Sequence, residues 1–168
     1  MTNTLISIII PCYNGSNYIS ETLNSILNQD ETRFEIIIVD DGSTDDSKLI
    51  IHTFTDYRIK YFYQKNQGVS MARNKGFLYA SAKYVIFFDA DDIMTPFFLS
   101  SRLNYLEKEN SLDFISGEAK RFDENGFIDG YLRGISFDGN SEILLYHSDI
   151  ITCPSNYFFK RSFLIENN

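Results

Sequence analysis

The chain has 168 residues, 43% of them hydrophobic and 23% charged, which is the composition of one ordinary globular domain. Its net charge of −8, without any basic run, argues against a nucleic-acid partner. The two cysteines, Cys12 and Cys153, are too few for a disulfide framework and lack the spacing of a metal site, so both are expected to be reduced core thiols.

The apolar runs of the chain are short. The longest of them, residues 5–10 and 84–88, fall far below the length of a membrane-spanning helix. The first four residues lack the basic segment with which a signal peptide begins. A cytoplasmic location is therefore expected, and peripheral contact with the inner face of the membrane is compatible with it.

Strand and helix patterns alternate along the first hundred residues. Runs of β-branched and aromatic residues predict strands at 5–10, 34–39, 59–63 and 84–88. Amphipathic stripes predict helices from Ser16 to about residue 27, at 44–54, at 69–80 and after Thr95-Pro96. Beyond residue 113 the pattern weakens to short strand-like pieces at 113–116 and 156–160. This order predicts an α/β fold with a mainly parallel central sheet.

Three acids follow the fourth predicted strand directly: Asp89, Asp91 and Asp92. Neighbouring carboxylates at the end of a buried strand repel one another and lose hydration, so a cation is expected to meet them. Side chains alternate along an extended chain, and Asp89 and Asp91 are therefore expected to point the same way. Two hard oxygen ligands suit Mg²⁺ or Mn²⁺, which bind through one or two carboxylates together with a phosphorylated substrate.

Polar segments follow each of the four predicted strands. In a parallel sheet the carboxyl ends of the strands lie at one edge, where ligands bind. We therefore expect residues 11–14, 40–43, 66–68 and 89–92 to converge there. Neither Gly-x-Gly-x-x-Gly nor Gly-x-x-x-x-Gly-Lys-Ser/Thr occurs in the chain, which disfavours a dinucleotide oxidoreductase and a P-loop NTPase.

Two carboxylates, Asp40 and Asp41, end the second predicted strand. Ser43 and Asp46 fit a capping box for the next helix, but a cap does not explain two acids at the end of a buried strand. One of the two is expected to bond the local backbone. The other, Asp41, is expected to be free to accept an N–H from a base or a sugar.

Three further residues are candidates at the same edge. Tyr13 either stacks on a planar base or packs, half-buried, on the next helix. Gly68 opens a helix whose N-terminal N–H groups and positive dipole end suit a phosphate. Arg73, in the second turn of that helix, either faces the site and braces the acids or forms an ordinary solvated ion pair.

Four segments together resemble family 2 glycosyltransferases of the GT-A fold. They are Ser-Ile-Ile-Ile-Pro-Cys-Tyr-Asn (7–14), Phe-Glu-Ile-Ile-Ile-Val-Asp-Asp-Gly-Ser-Thr-Asp (34–45), Asn-Gln-Gly-Val-Ser-Met-Ala-Arg-Asn-Lys-Gly (66–76) and Tyr-Val-Ile-Phe-Phe-Asp-Ala-Asp-Asp (84–92). The resemblance implies a Rossmann-like α/β/α sandwich. It also implies an enzyme that moves a sugar from a nucleotide diphosphate donor, a UDP-sugar, to an acceptor hydroxyl with inversion.

The resemblance implies a nucleotide site built from the first three segments. Pro11 and Tyr13 would border the base, and Asp41 would accept the uracil N–H. Gly68 and Arg73 are assigned to the same nucleotide site. These roles agree with what the residue types alone indicate.

The fourth segment is implied to hold the diphosphate. Asp89 would lie by the ribose and the diphosphate, and Asp91, with Asp89, would bind a Mn²⁺ or Mg²⁺ ion that stabilises charge on the leaving group. Asp92 matches a frequent third acid to which no role is assigned. The acceptor is expected to be a carbohydrate or a lipid-linked acceptor, in polysaccharide or glycoconjugate synthesis.

The far end of the chain departs from the family pattern. Family members continue past the segment that resembles 156–162 to an acidic pair, one acid of which is the general base, whereas this chain stops at Asn168. We expect one domain over 1–168, with a nucleotide-sugar-binding half over about 1–108 and an incomplete acceptor-side half over about 109–168. The base is then expected beyond Asn168, so that this chain binds donor but transfers little sugar.

Two alternatives stay open. An aspartyl phosphatase also places an Asp-x-Asp after an apolar strand, but usually on the first strand and with a hydroxyl or small residue where this chain has Ile93. A nucleotide-sugar-binding module without transferase activity would bind donor and never transfer it.

Overall fold

The computed structural model describes residues 4–117, 119–123, 126–132 and 154–167. Six strands form one sheet: β1 (Ile6–Cys12), β2 (Phe34–Asp40), β3 (Ile59–Tyr63), β4 (Tyr84–Phe87), β5 (Phe114–Ser116) and β8 (Tyr157–Lys160). Between β5 and β8, β6 (Ala119–Asp123) and β7 (Gly126–Leu132) pair as an antiparallel hairpin. Every strand predicted from the sequence is therefore present.

The strands of the sheet lie in the order β3-β2-β1-β4-β8-β5. β1 pairs in parallel with β2 and β4, and β2 pairs in parallel with β3. β8 is antiparallel to both of its neighbours, so β5 runs in the same direction as β4. The predicted mainly parallel sheet is confirmed, and the carboxyl ends of β1 to β5 lie at one edge.

Five helices occur among the described residues: α1 (Ile19–Leu27), α2 (Ser47–Ile51), α3 (Val69–Tyr79), α4 (Phe98–Lys108) and α5 (Arg161–Glu166). A 3₁₀ turn (Pro154–Asn156) leads into β8. The apolar stripe predicted for α1 is confirmed, because Ile19, Leu23 and Ile26 are all buried. Within the described part of the chain, the search for a helix long and apolar enough to cross a membrane finds none.

The first two strands are buried on both faces of the sheet. All seven residues of β1 and all seven of β2 are buried. Ile8 and Ile10 pack with residues of α1 and α4, whereas Ile9 packs with α3 on the opposite face. Each such isoleucine contributes roughly 1.5–3 kcal/mol by burial, which is why the run is continuous rather than alternating. Cys12 is a free, buried thiol as expected, and Cys153 lies outside the described residues.

The helix caps predicted near the site are wrong. α1 starts three residues after Ser16, with Tyr18 at its N-cap and no side-chain cap. The Ser16 N–H donates to Asp45 Oδ2 at 2.9 Å. The Ser43–Asp46 capping box does not form, and α2 starts just after Asp46 without a side-chain cap. Ser43 Oγ instead accepts the Asn14 N–H at 3.0 Å. The loop after β1 and the loop after β2 are therefore hydrogen-bonded to each other.

α4 also starts later than predicted. Two residues separate Thr95 from its first turn, and Phe97 occupies the N-cap in a left-handed conformation with φ of 63°. The capping group comes from the end of α1. Gln29 Oε1 accepts the Leu99 N–H at 3.2 Å, while its Nε2 donates to the Thr95 carbonyl at 2.9 Å. The side-chain amide of Gln29 thus caps α4 in place of Thr95.

Candidate functional site

The polar segments predicted to converge do so at the carboxyl edge of the sheet. The Asp41 N–H donates to the Cys12 carbonyl at 2.8 Å, which joins the ends of β1 and β2. Gly42 has a φ of 80°, and a Cβ there would lie 2.8 Å from the Asn66 nitrogen. Glycine therefore lets the loops after β2 and β3 meet. An ion pair from α3 then reaches the loop after β4.

Asp40 is buried and fully engaged. Its Oδ1 accepts the Ser43 N–H at 2.8 Å, and its Oδ2 accepts the Tyr61 hydroxyl at 2.6 Å. The local backbone bond expected of one acid in the pair is thus confirmed for Asp40. Burial and the hydrogen bond to Asp40 raise the pKa of Tyr61 well above its usual range, so this hydroxyl stays a donor.

Asp41 is not the free carboxylate that the sequence predicts. It is 3% exposed and accepts three hydrogen bonds, each of 2.8 Å, from Gln64 Nε2, the Gln67 N–H and the Gly68 N–H. Asp41 therefore fixes the loop that leads into α3, and the Gly68 N–H is not available to a phosphate. A carboxylate has about four lone-pair sites. Among the described residues Oδ2 accepts one hydrogen bond, from the Gly68 N–H, and keeps capacity for one more donor.

The side chain of Tyr13 is exposed at the end of β1. It is 53% exposed, whereas Pro11 is buried inside the strand. The next residue, Asn14, has φ of 52°, and its Oδ1 accepts the Thr44 N–H at 2.8 Å. This bond joins the loop after β1 to the loop after β2. Of the two interpretations of Tyr13, its exposure favours contact with a ligand over packing on α1.

Arg73 braces Asp89, as one interpretation of the sequence has it. Nη2 of Arg73 lies 2.6 Å from Asp89 Oδ1, and the two side chains are 23% and 30% exposed. Asp89 is also held through its backbone, since its N–H donates to Ser155 Oγ at 2.9 Å. Nε of Arg73 is buried and finds no hydrogen-bond partner in the part of the chain that is described. One guanidinium donor therefore remains for a bound oxyanion.

The acids after β4 lie in a turn. β4 ends at Phe87, and the Asp92 N–H donates to the Asp89 carbonyl at 3.2 Å. The extended conformation assumed for the pair Asp89 and Asp91 is therefore wrong, and alternation does not decide where these side chains point. Asp91 is exposed, and its carboxylate forms no hydrogen bond or ion pair with any described residue.

The donor set at this turn fits a divalent ion that binds mainly through its substrate. Both oxygens of Asp91 are open, and Asp89 Oδ2 accepts no hydrogen bond from the described residues. The same residues contain no group of three acidic, histidine or cysteine side chains that could hold a metal by themselves. Two carboxylates that leave other positions to phosphate and water suit Mg²⁺ or Mn²⁺.

Three residues that position the acids escaped the sequence analysis: Tyr61, Gln64 and Ser155. Ser155 lies 66 positions from Asp89 in the chain, and the 3₁₀ turn before β8 brings it to the end of β4. No local pattern links residues so far apart. Gln64 directly follows β3, so its position at the carboxyl edge was the available signal.

Comparison with known families gives a clear match. The family model "Glycosyl transferase family 2" matches residues 7–167. An uncharacterised glycosyltransferase of Rickettsia bellii is 39% identical over 150 residues, which are 89% of this chain and 21% of that protein. One from Rickettsia conorii is 40% identical over 156 residues, 92% of this chain and 25% of that protein. The chain thus spans a quarter or less of the length of these relatives.

Solved structures show the same fold. Staphylococcus aureus TarS 1–349 in complex with UDP-GlcNAc superposes with a TM-score of 0.75 at 24% identity, over 98% of this chain and 47% of that one. The mannosyltransferase PcManGT of Pyrobaculum calidifontis, in complex with GDP-Man and Mn²⁺, superposes with a TM-score of 0.72 at 20% identity. The match covers 97% of this chain and 46% of that one. The fold is therefore GT-A, as the sequence resemblance implies.

Proposed function

Because the chain belongs to glycosyl transferase family 2, we propose that it is a glycosyltransferase with its donor site at the carboxyl edge of β1, β2 and β4. The observation that carries the proposal is the open carboxylate of Asp91 beside the braced pair Arg73 and Asp89. An acceptor hydroxyl would attack the anomeric carbon while the nucleotide diphosphate leaves from the opposite face, so the configuration inverts. Family membership favours this reaction over the phosphatase alternative.

The diphosphate is proposed to bind at the turn after β4. A Mn²⁺ or Mg²⁺ ion held by Asp91 and Asp89 would neutralise the charge that develops on the leaving diphosphate. The Mn²⁺ in the mannosyltransferase complex supports a divalent ion in this fold. Arg73 holds Asp89 in place through Nη2 and offers its unpartnered Nε to a phosphate oxygen.

The base is proposed to be uracil, bound between the ends of β1 and β2. Tyr13 stacks on the ring, Pro11 borders it, and the remaining acceptor site of Asp41 takes the N3–H. TarS was solved with UDP-GlcNAc, which supports a UDP-sugar, whereas the mannosyltransferase was solved with a guanosine nucleotide. The choice of base therefore rests on the carboxylate of Asp41.

The acceptor is proposed to be a carbohydrate or a lipid-linked acceptor in polysaccharide or glycoconjugate synthesis, handled in the cytoplasm. Residues 1–108 form the donor half in this proposal, and residues from about 109 onward form the acceptor side. A general base contributes roughly 10²–10⁴-fold to such a transfer. We assign no base among the described residues.

Isothermal calorimetry with UDP tests the donor site. In the presence of Mn²⁺ we expect binding at least tenfold tighter than in EDTA, because the phosphates would otherwise face Asp89, Asp91 and Asp92 directly. Uridine, which has no phosphate, is the control and should bind equally in both buffers. Equal UDP affinity with and without the ion would overturn the metal assignment.

Competition between UDP and CDP tests the base. Cytosine presents an acceptor nitrogen where uracil has N3–H, and an unmatched buried acceptor costs ~1–3 kcal/mol, or roughly 5- to 150-fold in affinity. UDP should therefore displace CDP readily, and Asp41→Ala should erase the preference. Equal competition by CDP against the wild-type chain would show that Asp41 does not read the base.

A further inference from the structure

Arg102 lies in α4 with its guanidinium turned toward β5, and it lacks a carboxylate partner among the described residues. Nε is buried and without a hydrogen-bond partner. The hydrogen bond described for this side chain is a long one, 3.4 Å from Nη1 to the Phe98 carbonyl. Cζ sits 3.4 Å from the centroid of the Phe98 ring, which packs one face of the guanidinium. Among the described residues, no acceptor lies on the Nε of this guanidinium.

Two arginines elsewhere show what this position lacks. Arg33 and Arg58 each grip a carboxylate through Nε and Nη2, on Glu31 and Asp56 respectively. Around Arg102 burial lowers the pKa to about 10, and none of the described carboxylates offsets that effect. The group remains charged at neutral pH, and burial of a charge that no described group neutralises is destabilising. An anion at this position would offset that destabilisation.

A glycine makes room for the guanidinium at the site edge. A Cβ at Gly117 would collide with Arg102 Nη2 and lie 3.0 Å from its Cζ. The Gly117 N–H donates to the Asn156 carbonyl at 3.2 Å, and the preceding Ser155 accepts the Asp89 N–H. Arg102 is therefore connected, through Gly117, Asn156 and Ser155, to the loop that carries the proposed diphosphate site.

The strand order separates Arg102 from the donor. Gly117 follows β5, which lies two strands beyond β4, a distance of roughly 10 Å across the sheet. The proposed base site lies in the other direction, at β1 and β2. An anion bound by Arg102 would thus lie on the far side of the proposed diphosphate site from the nucleoside, on the side that the proposed function gives to the acceptor.

We propose that Arg102 binds an oxyanion, a phosphate or a carboxylate, carried by the acceptor. The inference rests on the proposed transferase function and specifies its acceptor as an anionic one. A guanidinium fork suits both groups, because its parallel N–H donors match two oxygens of one anion. Arg102 is a binding residue in this proposal and takes no part in bond making.

The test is thermal unfolding of the whole 168-residue chain, saturated with UDP and Mg²⁺ so that the donor site is filled. Inorganic phosphate and acetate are added in separate arms and compared with chloride at equal ionic strength. At about ten times its Kd an anion should raise Tm by roughly 4 °C. A rise with phosphate alone identifies a phosphate-bearing acceptor, and a rise with acetate as well identifies carboxylates too.

Three variants assign the effect to Arg102. Arg102→Gln should abolish the rise, and Gly117→Ala should reduce it because the new methyl group displaces the guanidinium without removing its charge. Arg33→Gln, at an arginine already paired with Glu31, should keep the full rise. An equal rise in Arg102→Gln, or no rise in wild type, would overturn the proposal.

Two further results separate the possible failures. If UDP fails to bind in calorimetry, the proposed transferase function falls and the acceptor assignment falls with it. If UDP binds normally but phosphate and acetate have no effect, the anion site alone is overturned. A large loss of Tm in Arg102→Gln without any anion effect in wild type would show that a carboxylate of the chain itself holds the guanidinium.

Discussion

The acids after β2 and the acids after β4 stand at the same edge of the sheet but in opposite states. Asp40 and Asp41 are 1% and 3% exposed, and their oxygens accept five hydrogen bonds in total. Asp89 is partly exposed with one oxygen on Arg73, and Asp91 is open. Asp40 and Asp41 hold the loops of the site together, whereas the carboxylate of Asp91 is open to a ligand.

The difference shows why an acid at a strand end is not by itself a ligand site. A carboxylate that accepts several hydrogen bonds from its own chain has a structural role, and its removal leaves those donors without an acceptor. A carboxylate without donors is stable only because water reaches it, and a bound cation can replace that water. Substitutions at the two places should therefore separate stability from binding.

The largest expected effect is on stability, from Asp41→Ala. The change leaves Gln64 Nε2 and the N–H groups of Gln67 and Gly68 without their acceptor. We expect a loss of about 3 kcal/mol in the free energy of unfolding, measured by urea denaturation. Asp91→Ala is the matched control and should change it by less than about 0.5 kcal/mol. Similar losses in both variants would remove the distinction between the two sets of acids.

The reverse is expected for ligand binding. Asp91→Asn keeps the shape of the side chain but removes the charge that a divalent ion needs, so Mn²⁺-dependent affinity for UDP should fall at least tenfold, about 1.4 kcal/mol. Calorimetry measures this, and the unfolding midpoint should not move. Asp46→Asn, at an exposed acid that starts α2, is the control and should bind as wild type does. Wild-type affinity in Asp91→Asn would place the ion elsewhere.

A smaller effect is expected at the base. Tyr13→Ala should lower affinity for UDP and for uridine equally, by about 1 kcal/mol or fivefold, because the ring would stack on uracil and not touch the phosphates. Tyr18→Ala offers a matched control, since Tyr18 is 54% exposed at the start of α1 against 53% for Tyr13. Equal losses in the two variants would show a general surface effect.

The smallest effect concerns the loop behind Tyr13. Partial burial works to raise the pKa of Asp45, but hydrogen bonds from Ser47 and Ser16 outweigh it and hold that pKa well below its usual range. A folded-state pKa below that of the unfolded chain, ~3.9, means that Asp45 stabilises the fold above about pH 4. This contribution disappears as the pH falls toward the folded-state pKa.

Asp45→Asn tests that sign. Its Tm should lie below that of wild type at pH 7, and the gap should close as both are measured at progressively lower pH, down to about 2. Asp46→Asn next to it should show no such convergence, because Asp46 makes no side-chain cap bond. A gap for Asp45→Asn that is constant with pH would mean that its charge does not contribute.

The local pattern of apolar residues predicted the strands well and the helix ends poorly. β1 to β4 appear where β-branched runs place them, since a strand covered on both faces must be apolar throughout. The predicted caps do not form: the Ser43 hydroxyl accepts the Asn14 N–H instead, and Gln29 rather than Thr95 supplies the group that caps α4. The antiparallel pair β6 and β7 was also missed, because the sequence beyond residue 113 predicts only short strand-like pieces.

By itself the sequence determined the order of strands and helices, the edge at which the polar segments end, and the family. Those properties follow from residue type and spacing within short windows, where neighbours along the chain are also neighbours in space. Only the tertiary structure decided that Asp41 is held and Asp91 open, and that Ser155 supports Asp89. The chemistry of a carboxylate depends on the donors around it, and at this edge several of them come from segments that meet only when the sheet forms.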